Sequence, residues 1–127
     1  MIALGPIHHV AILVDDLARA ESFYAGILGL PVEKRWPDDA GGTRSVWLGL
    51  GAGGRLMLER AAPGDLRRAP MGAGWHLLAL SIRREDRDAT EAALVAAGIA
   101  IESRSENSLY FRDPEGNRLA LSHYPAK

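Results

Sequence analysis

Residues 8 to 30 read HHVAILVDDLARAESFYAGILGL, and they present a strand, a helix start, a helix and a helix stop in that order. Ile7 to Val14 is an apolar run rich in β-branched residues. Its side chains alternate, with Val10, Ile12 and Val14 on one face and His9, Ala11 and Leu13 on the other. Asp15 and Asp16 offer an N-cap. Leu17, Ala20, Tyr24, Ile27 and Leu28 then recur at helical spacing with Phe23 beside them. Gly29 stands where a helix closes on a left-handed residue. The more apolar face, Val10, Ile12 and Val14, suits packing under that helix. Alternation therefore sends His8 toward the helix side and His9 to the opposite face.

Working outward, Leu30 to Trp36 reads as a short extended piece, and PDDAGG (37 to 42) as a loop. Ser45 to Leu50 is a strand, GAGG (51 to 54) a turn, and Arg55 to Arg60 another strand. Module one, residues 7 to 60, is thus β-α-β-β-β. Residues 61 to 74 (AAPGDLRRAPMGAG) look like a linker. The order then repeats over 75 to 124, with a strand at Trp75 to Ile82 and a helix at Asp86 to Ala97 closed by Gly98. Extended chain at Ile99 to Ser103, a strand at Ser108 to Arg112, the turn DPEGN (113 to 117) and a strand at Arg118 to Tyr124 complete it. LGLPVE (28 to 33) matches AGIAIE (97 to 102) in pattern, and GGRLML (53 to 58) matches GNRLAL (116 to 121). Two βαβββ units in one chain are an internal duplication.

Composition narrows the function. The 127 residues suit one domain, and 15 Lys and Arg against 16 Asp and Glu argue against nucleic acid or a membrane surface as partner. With no cysteine, disulfides, thiolate ligands and cysteine nucleophiles are excluded. No apolar run reaches membrane-spanning length, and the N-terminus lacks a signal-peptide pattern, so a cytoplasmic protein is expected. No phosphate loop or nucleophile–base pairing appears, and no nucleotide cofactor is expected. The RREDRD cluster (83 to 88) reads as a solvated helix start, and Arg44 and Arg55 as surface residues within reach of an anion.

HVAILVDDLARAESFYAGILGL (9 to 30) and YFRDPEGNRLAL (110 to 121) resemble the opening strand–helix and closing hairpin of the vicinal oxygen chelate superfamily. That group includes glyoxalase I, bleomycin-resistance proteins and extradiol dioxygenases, and the resemblance covers nearly the whole chain. It implies an α+β fold of two βαβββ modules, whose curved sheets wrap a ligand cup with helices on the outer faces. It also implies a homodimer, a small-molecule ligand and, in the enzymes, a divalent metal (Zn, Ni, Mn or Fe) acting as a Lewis acid. The ligands come from a histidine of the opening strand and a glutamate of the closing strand of each module.

On this pattern His9 falls on the first ligand position. Leu77 stands where the second module's histidine is expected, with His76 one residue off and so on the opposite face unless a bulge re-aims it. Ala120 occupies one glutamate position and Met57 the other, while Glu59 lies two residues beyond Met57 on the same face. The metal candidates are thus His9, Glu59 and His76, an incomplete set. The cup-facing positions are Ala11, Leu13, Met57, Glu59, Leu77, Ala79, Ser81, Ala120 and Ser122. Trp47, Met57, Trp75, Leu77, Ala120, Ser122 and Tyr124 are the candidate ligand contacts, and His9 and Glu59 the candidate catalytic pair. The expected function is binding of a small hydrophobic or aromatic molecule without the full metal site. The alternatives are a metal-dependent lyase, isomerase, thiol transferase or dioxygenase using His9 and Glu59, and metal-free acid–base catalysis by the same two residues.

Overall fold

The computed structural model describes residues 1–64 and 74–126; of the expected linker, residues 65–73 lie outside the described residues. The chain forms two compact units, residues 1–66 and 67–127. Each carries one mixed four-stranded sheet, and together they give the α+β arrangement of two βαβββ modules.

In the first unit, β1 (His9–Val14) leads into α1 (Leu17–Glu21), whose first turn is capped by Asp16 Oδ1 accepting from the Arg19 amide at 3.0 Å. The helix then widens into a π-helical stretch, Ser22–Ile27, in which the Leu28 amide reaches back to the Phe23 carbonyl at 3.0 Å. Gly29 ends it at φ +76°, a conformation only glycine adopts freely. β2 (Val32–Pro37), β3 (Thr43–Gly49) and β4 (Arg55–Arg60) complete the sheet in the order β1-β4-β3-β2, with β1 parallel to β4 and the other pairs antiparallel. The core lies between helix and sheet. Val14, Leu17, Ala20, Phe23, Tyr24, Val46, Leu48, Leu56 and Leu58 are all buried there. The Phe23 and Tyr24 rings meet edge to face at 5.0 Å.

The second unit repeats the plan. β5 (Leu78–Ser81), a 3₁₀ turn (Arg84–Asp86), α2 (Arg87–Ala96), β6 (Ser103–Arg104), β7 (Ser108–Arg112) and β8 (Arg118–Ser122) give the sheet order β5-β8-β7-β6. Leu109, Phe111, Leu119, Leu121 and Leu94 of α2 are buried. Gly98 closes α2 at φ +83°, with the Ile99 amide bonded to the Leu94 carbonyl at 2.9 Å.

Strand ends differ from the sequence pattern for a shared reason. β1 begins at His9 because its partner β4 begins opposite it, at Arg55. β5 begins at Leu78, paired with Leu119 near the start of β8, so Trp75 and His76 lie beyond the ladder. A strand persists only where a neighbour accepts its hydrogen bonds, and the apolar pattern runs past that limit.

Arg87 also departs from expectation. Placed in the RREDRD cluster, it reads as solvated, yet it is half-buried. It donates to the carbonyls of Ser105 (2.8 Å), Glu106 (2.9 Å) and Ser108 (3.3 Å), and lies 3.1 Å from His123 Nε2. Arginine has no acceptor atom, so His123 Nε2 accepts from it, and Nδ1–H donates to the Ala126 carbonyl. One guanidinium thereby ties α2 to the β6–β7 turn and to the segment after β8.

Candidate functional site

The helix-free face of the first sheet is built in cross-strand rows. Direct partners share a face with Cβ atoms roughly 4.5–5.5 Å apart. One row runs Trp36, Ser45, Glu59, Leu13 from β2 to β1, and the next Lys34, Trp47, Met57, Ala11. A third holds Gly49, Arg55 and His9. On β1 this face is open, with His9 and Ala11 exposed and Leu13 62% accessible, while Met57 and Glu59 are half-buried.

The two indoles form a pair, ring centroids 5.3 Å apart and planes inclined at 60°. Cations bracket it, with Lys34 Nζ 3.8 Å from the Trp36 centroid and the Arg55 guanidinium 5.8 Å from that of Trp47. Arg55 is held by Glu33 (Nε to Oε1, 2.9 Å). The register shift between Val32 and Lys34 carries Glu33 across β3 over Gly49, where an added Cβ would lie 3.1 Å from its Oε2.

Three polar atoms of this face are buried without a hydrogen-bond partner among the described residues: Trp36 Nε1, Ser45 Oγ and Trp47 Nε1. Ser45 is only 4% exposed. Each such atom costs about 1–3 kcal/mol relative to a paired one. Glu59, directly across from Ser45, has no hydrogen bond or ion pair among the described residues.

Within the first unit, the two metal candidates stand apart. His9 is opposite Arg55 in a parallel register and Glu59 is opposite Leu13, four residues further on. At about 3.3 Å per residue that is roughly 13 Å along the sheet, whereas an ion needs donor atoms about 2.0–2.3 Å from its centre. Beside His9 the strand offers Arg55 and Met57, a guanidinium and a thioether. Nor does alternation separate the two histidines. His8 precedes β1, is exposed, and its Nδ1 lies 2.8 Å from His9 Nδ1, the rings meeting edge-on at 5.1 Å. In the second unit, His76 Nε2 sits 2.8 Å from Arg118 Nη1 and accepts a hydrogen bond from it, which occupies the lone pair a metal would need. Among the described residues no group of three or more His, Cys, Asp or Glu is placed to hold a metal ion. His9 and Glu59 of the first unit therefore do not by themselves make a metal-ion donor set.

The second unit's corresponding face holds Ala79 and Ser81, paired with Ala120 and Ser122, and Tyr110 opposite Ala120. Ala120 is buried. The Ser122 hydroxyl is 2.8 Å from that of Ser108 and so is already engaged. Leu77 is half-buried just before β5, while Trp75 (93% exposed) and Tyr124 (79%) lie outside the strands. Arg118 stacks 4.7 Å over Tyr110 and shares Glu102 with Arg112, at 3.0 and 2.6 Å. Hydrogen bonding from Arg112, reinforced by Arg118, holds the Glu102 carboxyl below its ordinary range. On this face Ser122, Arg112 and Arg118 are engaged by neighbouring side chains, whereas the first unit's face holds three buried polar atoms with no partner among the described residues. The sequence offers Trp36 and Trp47 as stacking candidates and puts Met57 and Glu59 on one face, but does not single out Ser45, Tyr110 or Arg118. Alternation along β3 and β4 carries the signal for Ser45, since it shares the parity of Trp47.

Residues 6–121 match the model of the Glyoxalase/Bleomycin resistance protein/Dioxygenase superfamily, in which divalent metals are often used. The chain is 29% identical over 131 residues to the uncharacterized protein YaeR of Escherichia coli (strain K12), covering 95% of this chain and 98% of YaeR. It is 28% identical to the glutathione transferase FosA of Serratia marcescens, covering 93% and 80%. Among solved structures it is similar to TnmS3, an antibiotic binding protein from Streptomyces sp. CB03234, with a TM-score of 0.68 and 25% identity over 96% of this chain and 98% of that one.

Proposed function

The chain belongs to the glyoxalase/bleomycin resistance protein/dioxygenase superfamily, and from that premise we propose that it binds a small hydrophobic or aromatic molecule on the open face of its first module. The carrying observation is the continuous apolar surface of Trp36, Trp47, Met57, Ala11 and Leu13, laid out in adjacent cross-strand rows. Indole faces stack on planar rings, and the Met57 thioether packs against their edges. The resemblance to TnmS3, described as antibiotic binding, supports the reading. The residues beside His9, Arg55 and Met57, favour binding and sequestration over a Lewis-acid step in this reading. His9 and Glu59 act separately in this account, His9 beside Arg55 at one end of the face and Glu59 beside Ser45 at the other.

Titration of tryptophan fluorescence with 2-ethylnaphthalene in the presence of EDTA tests the reading. At roughly 0.4 kcal/mol per heavy atom, a ligand of this size binds with Kd of about 300 µM. Met57→Asp puts a carboxylate in the middle of the apolar row and should abolish the quenching. Binding that requires an added divalent metal, or that Met57→Asp leaves unchanged, would contradict it.

A further inference from the structure

The unmatched donors on this face have a common chemistry. An indole N–H can only donate, and a serine hydroxyl can donate. Trp36 stands directly opposite Ser45, and Trp47 lies two residues along the same strand on the same face with its ring 5.3 Å from that of Trp36, so the three donor-bearing residues are neighbours. Each is cut off from solvent and none has a partner among the described residues. An incoming acceptor would supply the partner that each donor lacks among the described residues. On the other side of Ser45 stands Glu59, also without a partner among the described residues, whose carboxylate disfavours a second negative charge one strand away.

We infer that this corner receives a neutral carbonyl oxygen, which narrows the ligand class to aromatic ketones and related uncharged aromatic carbonyl compounds. The inference rests on the proposal that an aromatic molecule occupies this face. Ser45 Oγ and the indole N–H groups of Trp36 and Trp47 donate to the oxygen while the ring lies toward Met57. Entry requires the exposed Lys34 side chain to swing off Trp36, a rearrangement of a solvated side chain. A site with buried donors rejects an isostere lacking the oxygen, because its own polar groups then stay unpaired.

The test compares three probes of one shape by calorimetry in EDTA: 2-acetonaphthone, 2-ethylnaphthalene and 2-naphthoate. The expected order is the ketone about tenfold tighter than the hydrocarbon, with the carboxylate weakest. Ser45→Ala should reduce ketone affinity about three- to tenfold, leave 2-ethylnaphthalene within twofold, and keep or raise the urea midpoint, because it removes an unmatched hydroxyl. Trp36→Phe, which keeps a ring and removes the N–H, should lower ketone affinity by a similar factor. Equal affinity for ketone and hydrocarbon overturns the inference while leaving apolar binding intact. So does a lowered urea midpoint for Ser45→Ala with no change in the ketone preference, the result expected if an ordered water already satisfies these atoms. A preference for 2-naphthoate overturns the neutral-carbonyl assignment, and failure of all three probes to bind overturns the underlying reading as well.

Discussion

Neighbouring residues of β4, Met57 and Leu58, point to opposite faces of the first sheet, and truncating each to alanine separates what holds the fold from what meets the ligand. Leu58 is fully buried on the helix side. Leu58→Ala removes three carbons at about 0.8 kcal/mol each, or roughly 2.4 kcal/mol. The residual cavity raises the loss to about 3–4 kcal/mol. Met57 is half-buried opposite Trp47 and Ala11, and solvent fills the space left by its truncation, so Met57→Ala should cost about 1 kcal/mol. Urea unfolding followed by circular dichroism reads both values. Ligand affinity should respond in reverse. Met57→Ala weakens 2-ethylnaphthalene about three- to tenfold, and Leu58→Ala, in the folded protein, leaves it within twofold. Equal stability losses, or a larger binding defect for Leu58→Ala, would refute the assignment of faces.

Further expectations concern the supports of the fold. Arg87→Met strips three carbonyls and His123 of their donor and should lower stability by about 2–4 kcal/mol after partial rehydration; Arg83→Met, at a solvated pair, should change it by less than about 1 kcal/mol in the same melts. Gly49→Ala would bring a Cβ within 3.1 Å of Glu33 and 3.2 Å of the Pro31 ring, and should destabilise by about 1–3 kcal/mol, with a smaller loss in a Glu33→Ala background. The carboxyls of Glu102 and Glu21 are held below their ordinary value of 4.5, chiefly by hydrogen bonds from Arg112 and Arg35 respectively. A lowered folded-state value means these pairs stabilise fully above about pH 4.5 and lose their contribution as pH falls through the folded value. Acid titration of Glu102→Gln should therefore show a shallower loss of stability below that pH than the parent chain.

Much of the fold was legible because local signals agreed with one another. Asp16 caps α1, Gly29 and Gly98 close their helices at positive φ, and Val10, Ile12 and Val14 alternate as a half-buried strand should. Strand ends escaped because they depend on the partner: nothing local in Trp75 and His76 announces that β8 starts too late to pair with them. The π-helical widening at Ser22–Ile27 has the same apolar spacing as an α-helix. In the candidate site, alternation placed Met57 and Glu59 on one face, but the distance between His9 and Glu59 depends on the register of two strands far apart in the chain. Arg87 looked like one charge among several, since its carbonyl partners lie about 20 residues away.

We propose that an aromatic ligand sits beside Met57 on the open face of the first sheet without a metal. The most direct measurement is the NMR shift of the Met57 methyl group, in protein labelled with carbon-13 at the methionine methyls and kept in EDTA, as 2-ethylnaphthalene is added. A saturable ring-current shift of that resonance, lost in Trp47→Ala, is the predicted result. Binding that leaves the Met57 methyl unmoved, or a shift that appears only once a divalent metal is supplied, would contradict the account.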